Sequence, residues 1–265
     1  MDIFVRLPVR IIRVPMKTMK RTRVLLEICC GGIDDAIQAE RGGADRVELC
    51  SALFLGGLTP SWGTIQEAKQ RLKLPVMVMV RPRSGGFCYS EAEMKSMERD
   101  AEESGGDGIV FGVLLENGKI DVARCKRLMR RIGNRQSVFH RAFDVTPDPL
   151  RALEQLVDLG VTRLLTSGQK NSAPEGVDLI RRLVDKAEER IEILPGGGIQ
   201  PHQVAAVVAQ TGCEQVHLTA WQTFTDRSTY AQPSVTFGGA LYPPEDRYQV
   251  TDAKLVQRVR KSIAG

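Results

Sequence analysis

Two short apolar stretches near the start of the chain each place a glutamate two residues before a cysteine. The first, LLEIC, contains Glu27 and Cys29, and the second, RVELC, contains Glu48 and Cys50. Side chains alternate between the two faces of a β-strand, so each glutamate shares a face with its cysteine. If the strands are parallel neighbours in matching register, two carboxylates and two thiols converge at the same strand ends.

The two cysteines could together bind a soft metal ion. Thiolates are soft ligands that suit Cu(I), and neighbouring residues on paired strands lie about 5 Å apart. Cys29 and Cys50 could therefore hold one linear Cu(I) between them. The alternative is that both are small buried core residues, the usual role of a free cysteine.

The stretches around these residues predict an α/β fold, a (β/α)8 TIM barrel that forms a single domain over residues 24–265. Strand-like and helical segments alternate, which implies a parallel sheet with helices outside. Eight such units fit a closed barrel better than an open doubly wound sheet. The strands are predicted at residues 24–30, 46–50, 76–80, 108–113, 137–143, 162–166, 191–194 and 215–219.

Ionisable side chains collect at the predicted carboxyl ends of these strands, where TIM barrels carry their active sites. Such groups are costly to bury without partners, so they indicate either a site or a salt-bridged plug in the barrel mouth. The first alternative predicts an enzyme that acts on a small anionic substrate, a phosphorylated or carboxylated metabolite. The candidate general acids and bases are Glu27, Glu48, His140 and Asp144.

Arginines and a glycine-rich turn could bind the anionic group of that substrate. Arg81 and Arg141 would clamp it through charge-assisted hydrogen bonds, and Ser167 follows the sixth predicted strand as a further donor. A turn between the seventh strand and a helix is a common place for an anion cradle, although a tight turn without a ligand explains the glycines equally well. That turn consists of Gly196, Gly197 and Gly198.

Composition argues against several other classes of function. Residues 1–23 hold seven basic residues against Asp2, so of the net charge of +5 the remaining chain contributes −1, and nothing indicates a nucleic-acid-binding surface. No apolar run approaches the roughly 18 residues of a membrane span. The HExxH, P-loop, GxGxxG and GxSxG motifs are missing. The 6 cysteines include no CxxC pair and follow no secretory signal, which indicates reduced thiols in an intracellular protein.

Two segments fall outside the barrel pattern. Residues 1–23 are Arg-rich and acid-poor, the composition either of a mitochondrial transit peptide or of a disordered or alternatively translated leader. Residues 220–251 are too long for a simple connection. They predict a functional loop, an oligomer contact or a disordered stretch.

From about residue 25 onward, the chain resembles the CutC family of copper homeostasis proteins. The resemblance implies a TIM barrel that binds Cu(I) through Cys29 and Cys50 and assembles as a homo-oligomer, a dimer or a tetramer. It also implies a location in the cytoplasm and, in some eukaryotes, the nucleus. The matching stretches, in family order, are LLEIC, AERGGADRVELC, GGLTPSWG, RPRSGGFCYS, DGIVFG, FHRAFD, LLTSG and PGGGI.

The same resemblance implies an unassigned enzyme pocket at the strand ends. It adds Arg46 to the candidate anion-binding residues. One position departs from the family, which usually has His-x-Ser-Ala-Arg after the eighth strand, whereas this chain has HLTAW from His217 to Trp221. Trp221 lacks the charge that an arginine would bring to an anion. The strand-end residues that match the family are Glu27, Arg46, Glu48, Arg81, His140, Arg141 and Asp144.

Overall fold

The computed structural model describes residues 23–237 and 245–264. The basic segment predicted at residues 1–23 lies outside these ranges apart from Arg23, which pairs with Asp45. Among the described residues, none of the helices has the length and apolar character needed to cross a membrane.

Parallel strands form the predicted barrel. Eight of them hydrogen-bond in the order β7-β6-β5-β4-β3-β2-β1-β8, and the two strands at the ends of this order lie beside each other. The fold is therefore a TIM barrel, as the sequence predicts. The strands are β1 Leu25–Cys30, β2 Arg46–Leu49, β3 Val76–Met79, β4 Gly108–Phe111, β5 Gln136–Phe139, β6 Arg163–Thr166, β7 Glu192–Pro195 and β8 Gln215–Leu218.

Helices surround the barrel, and side-chain caps mark where several of them begin. Ser90 accepts the Glu93 N–H at 3.2 Å, while the Glu93 carboxylate accepts the Ser90 N–H at 2.7 Å. This reciprocal pair satisfies two N–H groups that no helical carbonyl reaches. The helices are α1 Ile33–Arg41, α2 Trp62–Arg71, α3 Glu91–Glu103, α4 Val122–Ile132, α5 Pro149–Asp158, α6 Val177–Ala187, α7 Val204–Thr211 and α8 Ala253–Ile263.

The strands separate two apolar cores because successive side chains point to opposite faces. One face packs against the helices and includes Cys30, as alternation predicts. The other face fills the barrel with a smaller cluster beneath the mouth. That inner cluster consists of Cys29, Cys50, Met77, Met79, Val110, Val138, Leu165 and Leu194.

The register of β1 and β2 differs from the matching register that the sequence suggested. Glu27 pairs with Arg46, and Cys29 pairs with Glu48, so the two strands are offset by two residues. Strands of a closed barrel tilt and stagger against one another, and this shear sets the offset. The two glutamates are therefore not cross-strand neighbours, and each lies beside a residue of a different kind.

Two segments have a different local structure from the predicted one. The fifth strand ends at Phe139, and residues 141–145 form a 3-10 helix that His140 caps by accepting the Ala142 N–H. After β8 the chain forms an antiparallel hairpin rather than an irregular loop, with β9 Trp221–Thr225 paired to β10 Arg247–Thr251. Alternating β-branched and aromatic residues favour these two strands.

Candidate functional site

Two thiols and a carboxyl group meet inside the barrel, beneath its mouth. The nearest ligand atoms of Cys29, Glu48 and Cys50 all lie within 4.8 Å of one another. The Cys29 and Cys50 Sγ atoms are 3.2 and 3.5 Å from Glu48 Oε2. The stagger of the strands produces this trio. It places Glu48 of β2 beside Cys29 of β1, and Cys50, two residues after Glu48, faces the barrel interior on the same side. All three residues are buried.

His217 of β8 joins this trio to Glu27. Its Nδ1 is 2.7 Å from Glu27 Oε1, and its Nε2 is 3.7 Å from Glu48 Oε2. The imidazole thus lies between two carboxyl groups, which together with it form a second set of ligand atoms within 4.8 Å of one another. Sequence reasoning placed His217 at a strand end but assigned it no role. The sequence signal for such a role is its position two residues after Gln215, which puts both polar side chains on the inward face of β8.

The charges around His217 decide its protonation. Burial lowers the pKa of the imidazole, but the charge of Glu48 and the hydrogen bonds with Cys29 and Glu27 outweigh burial and raise it well above its usual range. Burial likewise opposes ionisation of Glu27, yet the Arg46 guanidinium and His217 hold the pKa of that carboxyl well below its usual range. His217 is therefore an imidazolium paired with an ionised Glu27.

The two thiols differ in acidity because one stabilises the other. A hydrogen bond from Cys50 and the nearby His217 overcome burial and lower the pKa of Cys29 well below that of an ordinary thiol. Donation to Cys29, followed by burial, raises the pKa of Cys50. Burial and the negative charge of Cys29 raise the pKa of Glu48. Cys29 is thus the more acidic of the two thiols, and both sulfurs lie within donating distance of the Glu48 carboxyl. Outside this cluster, burial is the main cause that raises the pKa of the Cys125 thiol to about 12.

A polar network fills the barrel below this cluster. Arg46, at the start of β2, donates through Nε to Glu27 and through Nη2 to Gln215 at 2.9 Å. Arg163 of β6 donates to the same Gln215 oxygen at 3.0 Å and to Glu192 at 2.7 Å. We call this network the plug. It lies at the amino ends of β2, β6, β7 and β8, whereas the sequence offered a salt-bridged plug in the barrel mouth. The sequence did not predict a role for Arg163 or Gln215. The signal that could have indicated one is the charge of Arg163 on a largely apolar, buried strand.

The loop after β2 covers the thiols. Ser51 and Leu58 form an antiparallel bridge, and Leu53 between them packs on the inner cluster. Gly57 in the same loop has φ +82°, and a Cβ there would lie 3.1 Å from Cys50 Sγ. A residue with a side chain would therefore push the loop away from the sulfur. We call residues 51–58 the cover loop.

A second group of predicted residues meets around Asp144. Its carboxylate accepts the Arg141 Nε–H at 2.9 Å, the Thr166 hydroxyl at 2.5 Å and the Ser167 hydroxyl at 2.8 Å. The backbone N–H groups of Ser167 and Gln169 also donate to it. Asp144 therefore fastens the segment after β5 to the loop after β6. This geometry suits an anchor for Arg141 better than a free acid or base.

The glycine-rich turn lies next to both groups. A Cβ on Gly196 would be 3.0 Å from the His217 ring, and one on Gly197 would be 2.8 Å from the Arg141 guanidinium carbon. Gly197 and Gly198 have φ of +99° and +67°, conformations that suit glycine. The structure thus brings together Arg141, Ser167 and the turn, and the turn also contacts His217.

Arg81 and His140 lie at the mouth, on the inward sides of the chain just after β3 and β5. Arg81 donates to the carbonyls of Leu55 and Gly57 and so holds the cover loop. Burial, followed by the charge of Arg81, lowers the pKa of His140 to about 3. His140 is therefore neutral at physiological pH.

Comparisons of sequence and of structure with known proteins all find similarity to one family. The CutC family profile matches residues 24–222. A CutC family protein of Treponema denticola is 50% identical over 243 residues, which cover 91% of this chain and 99% of that protein. The human copper homeostasis protein cutC homolog is 44% identical over 236 residues, 88% of this chain and 86% of that protein. A solved CutC structure from Streptococcus agalactiae superposes with a TM-score of 0.71 at 38% identity, covering 74% of this chain and 98% of that one.

Proposed function

The chain belongs to the CutC family, and we propose that it serves copper homeostasis by binding Cu(I) through the thiolates of Cys29 and Cys50. The observation that carries this proposal is the meeting of two buried sulfurs and the Glu48 carboxyl within 4.8 Å. The human relative is named a copper homeostasis protein, which agrees with such a cargo.

The donor set favours Cu(I) over harder cations. Sulfur is the preferred ligand of Cu(I), whereas a carboxyl oxygen suits Mg²⁺, Ca²⁺ or Mn²⁺. The lowered pKa of Cys29 favours its thiolate, whereas the raised pKa of Cys50 means that its proton has to be released on binding. Two thiolates and Cu(I) together carry one negative charge, which the neighbouring imidazolium of His217 offsets. Glu48 then acts as a proton and hydrogen-bond partner of the sulfurs rather than as a ligand.

A Cu(I) titration against a competing chelator under anaerobic conditions tests this proposal. We expect one tight equivalent in the wild type, and loss of that equivalent in the Cys29→Ser/Cys50→Ser variant. Cys125→Ser is the matched control, because this cysteine is buried but faces the helices. Stoichiometric binding by the double variant would reject the two cysteines as ligands.

A second candidate function is an enzyme that acts on a small phosphorylated or carboxylated metabolite. The specific observation in its favour is that Arg141, whose side chain is 40% exposed, lies against the turn at Gly197. Among the proposed acid and base residues, Glu48 suits a general acid because burial raises its pKa and so favours its protonated form.

Phosphate binding by the turn tests the second candidate. We expect inorganic phosphate to bind the wild type in calorimetry and to bind Gly197→Ala at least tenfold more weakly, because the new Cβ displaces Arg141. Gly212→Ala is the control, since Gly212 also has positive φ but no atom within 4 Å of an added Cβ. Equal phosphate binding by both variants would remove the turn from this function.

We also propose that the chain assembles as a homo-oligomer, a dimer or a tetramer, through the hairpin of β9 and β10. Phe224 and Tyr248 stack on each other with centroids 5.7 Å apart, and both are exposed on this hairpin. Exposed aromatic pairs of this kind favour protein contacts. Light scattering should give a smaller solution mass for Phe224→Ser/Tyr248→Ser than for the control Trp62→Ser, which changes an exposed residue of α2. An unchanged mass in the double variant would exclude the hairpin as the contact.

A further inference from the structure

Arg81 carries a buried positive charge that has no acidic partner among the residues the structure describes. Its side chain is 6% exposed, and its Nη atoms donate to the backbone carbonyls of Leu55, Gly57 and Gly85 at 2.8 to 3.0 Å. Its Nε is buried and has no hydrogen-bond partner within the same residues. Neutral carbonyls satisfy hydrogen bonds but not charge, and a buried charge without a counter-charge is costly.

His140 provides a second buried donor without a partner. The residue is 4% exposed, and its Nδ1 accepts the Ala142 N–H at 3.1 Å. In a neutral ring the proton therefore lies on Nε2. That Nε2 is buried, and no described residue accepts from it. His140 thus presents an N–H group that lacks an acceptor.

Both donors lie at the barrel mouth, and we call the region that Arg81, His140 and Phe87 share the compartment. Arg81 and His140 follow β3 and β5, and the inward position of the chain between them, just after β4, is Gly112. A Cβ at Gly112 would lie 2.4 Å from the His140 ring, so this glycine makes room for the imidazole. The Phe87 ring lies 5.1 Å from the His140 ring and 5.4 Å from the Arg81 guanidinium carbon, so it contacts both side chains.

Tyr89 contributes a third buried polar atom next to Arg81. Its hydroxyl has no hydrogen-bond partner among the described residues, and the charge of Arg81 partly offsets the rise that burial causes in its pKa. Hydrogen bonding with Arg81 also lowers this pKa, so the hydroxyl lies within reach of the Arg81 side chain. A hydroxyl is neutral, however, so it would leave Arg81 without a counter-charge and His140 Nε2 without an acceptor.

We propose that the compartment between Arg81 and His140 binds the carboxylate group of a small organic acid. One carboxylate supplies the counter-charge that Arg81 lacks and the acceptor that His140 Nε2 lacks. Its two oxygens match two N–H donors on separate side chains, whereas a phosphate dianion calls for more donors than the compartment offers. The site uses neither thiol, so it stands independently of Cu(I) binding.

Imidazole NMR of the full chain, labelled with nitrogen-15 and free of copper, tests the site with acetate and succinate as probes. The chain has only 3 histidines, so single substitutions assign them. We expect the His140 Nε2 resonance to shift saturably with either carboxylate and not with equal chloride. No saturable shift, or the same shift with chloride, would overturn the proposal and leave an adventitious ion only.

Thermal unfolding with the same probes supplies the matched variants. His140→Phe keeps a ring against Phe87 but removes the donor, and His202→Phe changes an exposed histidine. Succinate should raise the Tm of the wild type and of His202→Phe, with at least tenfold weaker binding to His140→Phe. An equal rise in His140→Phe would contradict the assignment. The same measurement on Cys29→Ser/Cys50→Ser separates this site from the copper site, because carboxylate binding should survive there.

Discussion

Cys29 of β1 is the direct cross-strand neighbour of Glu48 of β2, and the Cys29 sulfur lies 3.2 Å from the Glu48 carboxyl. This pairing puts the more acidic thiol of the site beside a carboxyl group whose own pKa is raised. It also brings the sulfur of Cys50, which lies two residues after Glu48, to 3.5 Å from the same carboxyl oxygen. The chemistry of the site thus depends on the offset between two strands.

His217→Gln should raise the pKa of Cys29 toward the range of an ordinary thiol. The imidazolium stabilises the thiolate through a hydrogen bond and through its charge, and glutamine supplies no charge. Ultraviolet thiolate absorbance followed against pH measures the change. His202→Gln, on the exposed side, should leave the titration unchanged. A Cys29 titration that is identical in wild type and His217→Gln would show that the imidazolium does not set the thiol acidity.

Arg46→Met should destabilise the fold by about 3–5 kcal/mol, because it leaves the buried Glu27 without its main counter-charge. Urea unfolding gives the free energy. The control is Arg71→Met, which breaks an exposed pair with Glu67 and should cost less than about 1 kcal/mol. Similar losses in the two variants would mean that the plug does not contribute to stability in this way.

Stability should fall in acid through Glu27. The folded pKa of this carboxyl is lower than its ordinary value of 4.5, so its contribution is fully present above pH 4.5. The contribution is lost as the pH falls from 4.5 toward the lower folded pKa, because the unfolded chain takes up the proton first. Urea unfolding at a series of pH values should show a shallower acid decline in Glu27→Gln than in the wild type. Parallel declines would assign the acid sensitivity to other groups.

Gly57→Ala should expose the thiols by displacing the cover loop. An added Cβ meets Cys50 Sγ at 3.1 Å, and φ of +82° disfavours alanine. Labelling of Cys29, the more acidic thiol of the pair, by a small alkylating reagent should become at least tenfold faster. Gly43→Ala is the control, since φ there is +85° but nothing lies within 4 Å of the new Cβ. Unchanged labelling in Gly57→Ala would mean that the cover loop does not limit access.

Alternation along the strands predicted which side chains face the barrel interior, and it placed Glu27, Cys29, Glu48 and Cys50 correctly on one face. It could not predict the register, which depends on the shear of the closed barrel rather than on any single strand. The partner of Glu27 is for this reason Arg46, a residue that the sequence suggested for anion binding.

Long-range contacts explain what the sequence left out. Gln215 connects Arg46 with Arg163 across the barrel, and no local pattern links these three positions. The 3-10 helix after β5 was predicted as strand because FHRAF is apolar enough for either, and the tertiary anchor at Asp144 decides between them. The family, by contrast, was evident from short motifs in order, which require no register.

Copper K-edge absorption spectroscopy of the protein loaded with one equivalent of Cu(I) tests the central proposal most directly. Two sulfur scatterers and no nitrogen or oxygen ligand are the predicted first shell, with the signal lost in Cys29→Ser/Cys50→Ser. A first shell of nitrogen or oxygen ligands, or an unchanged sulfur shell in the double variant, would contradict Cu(I) binding between these two cysteines.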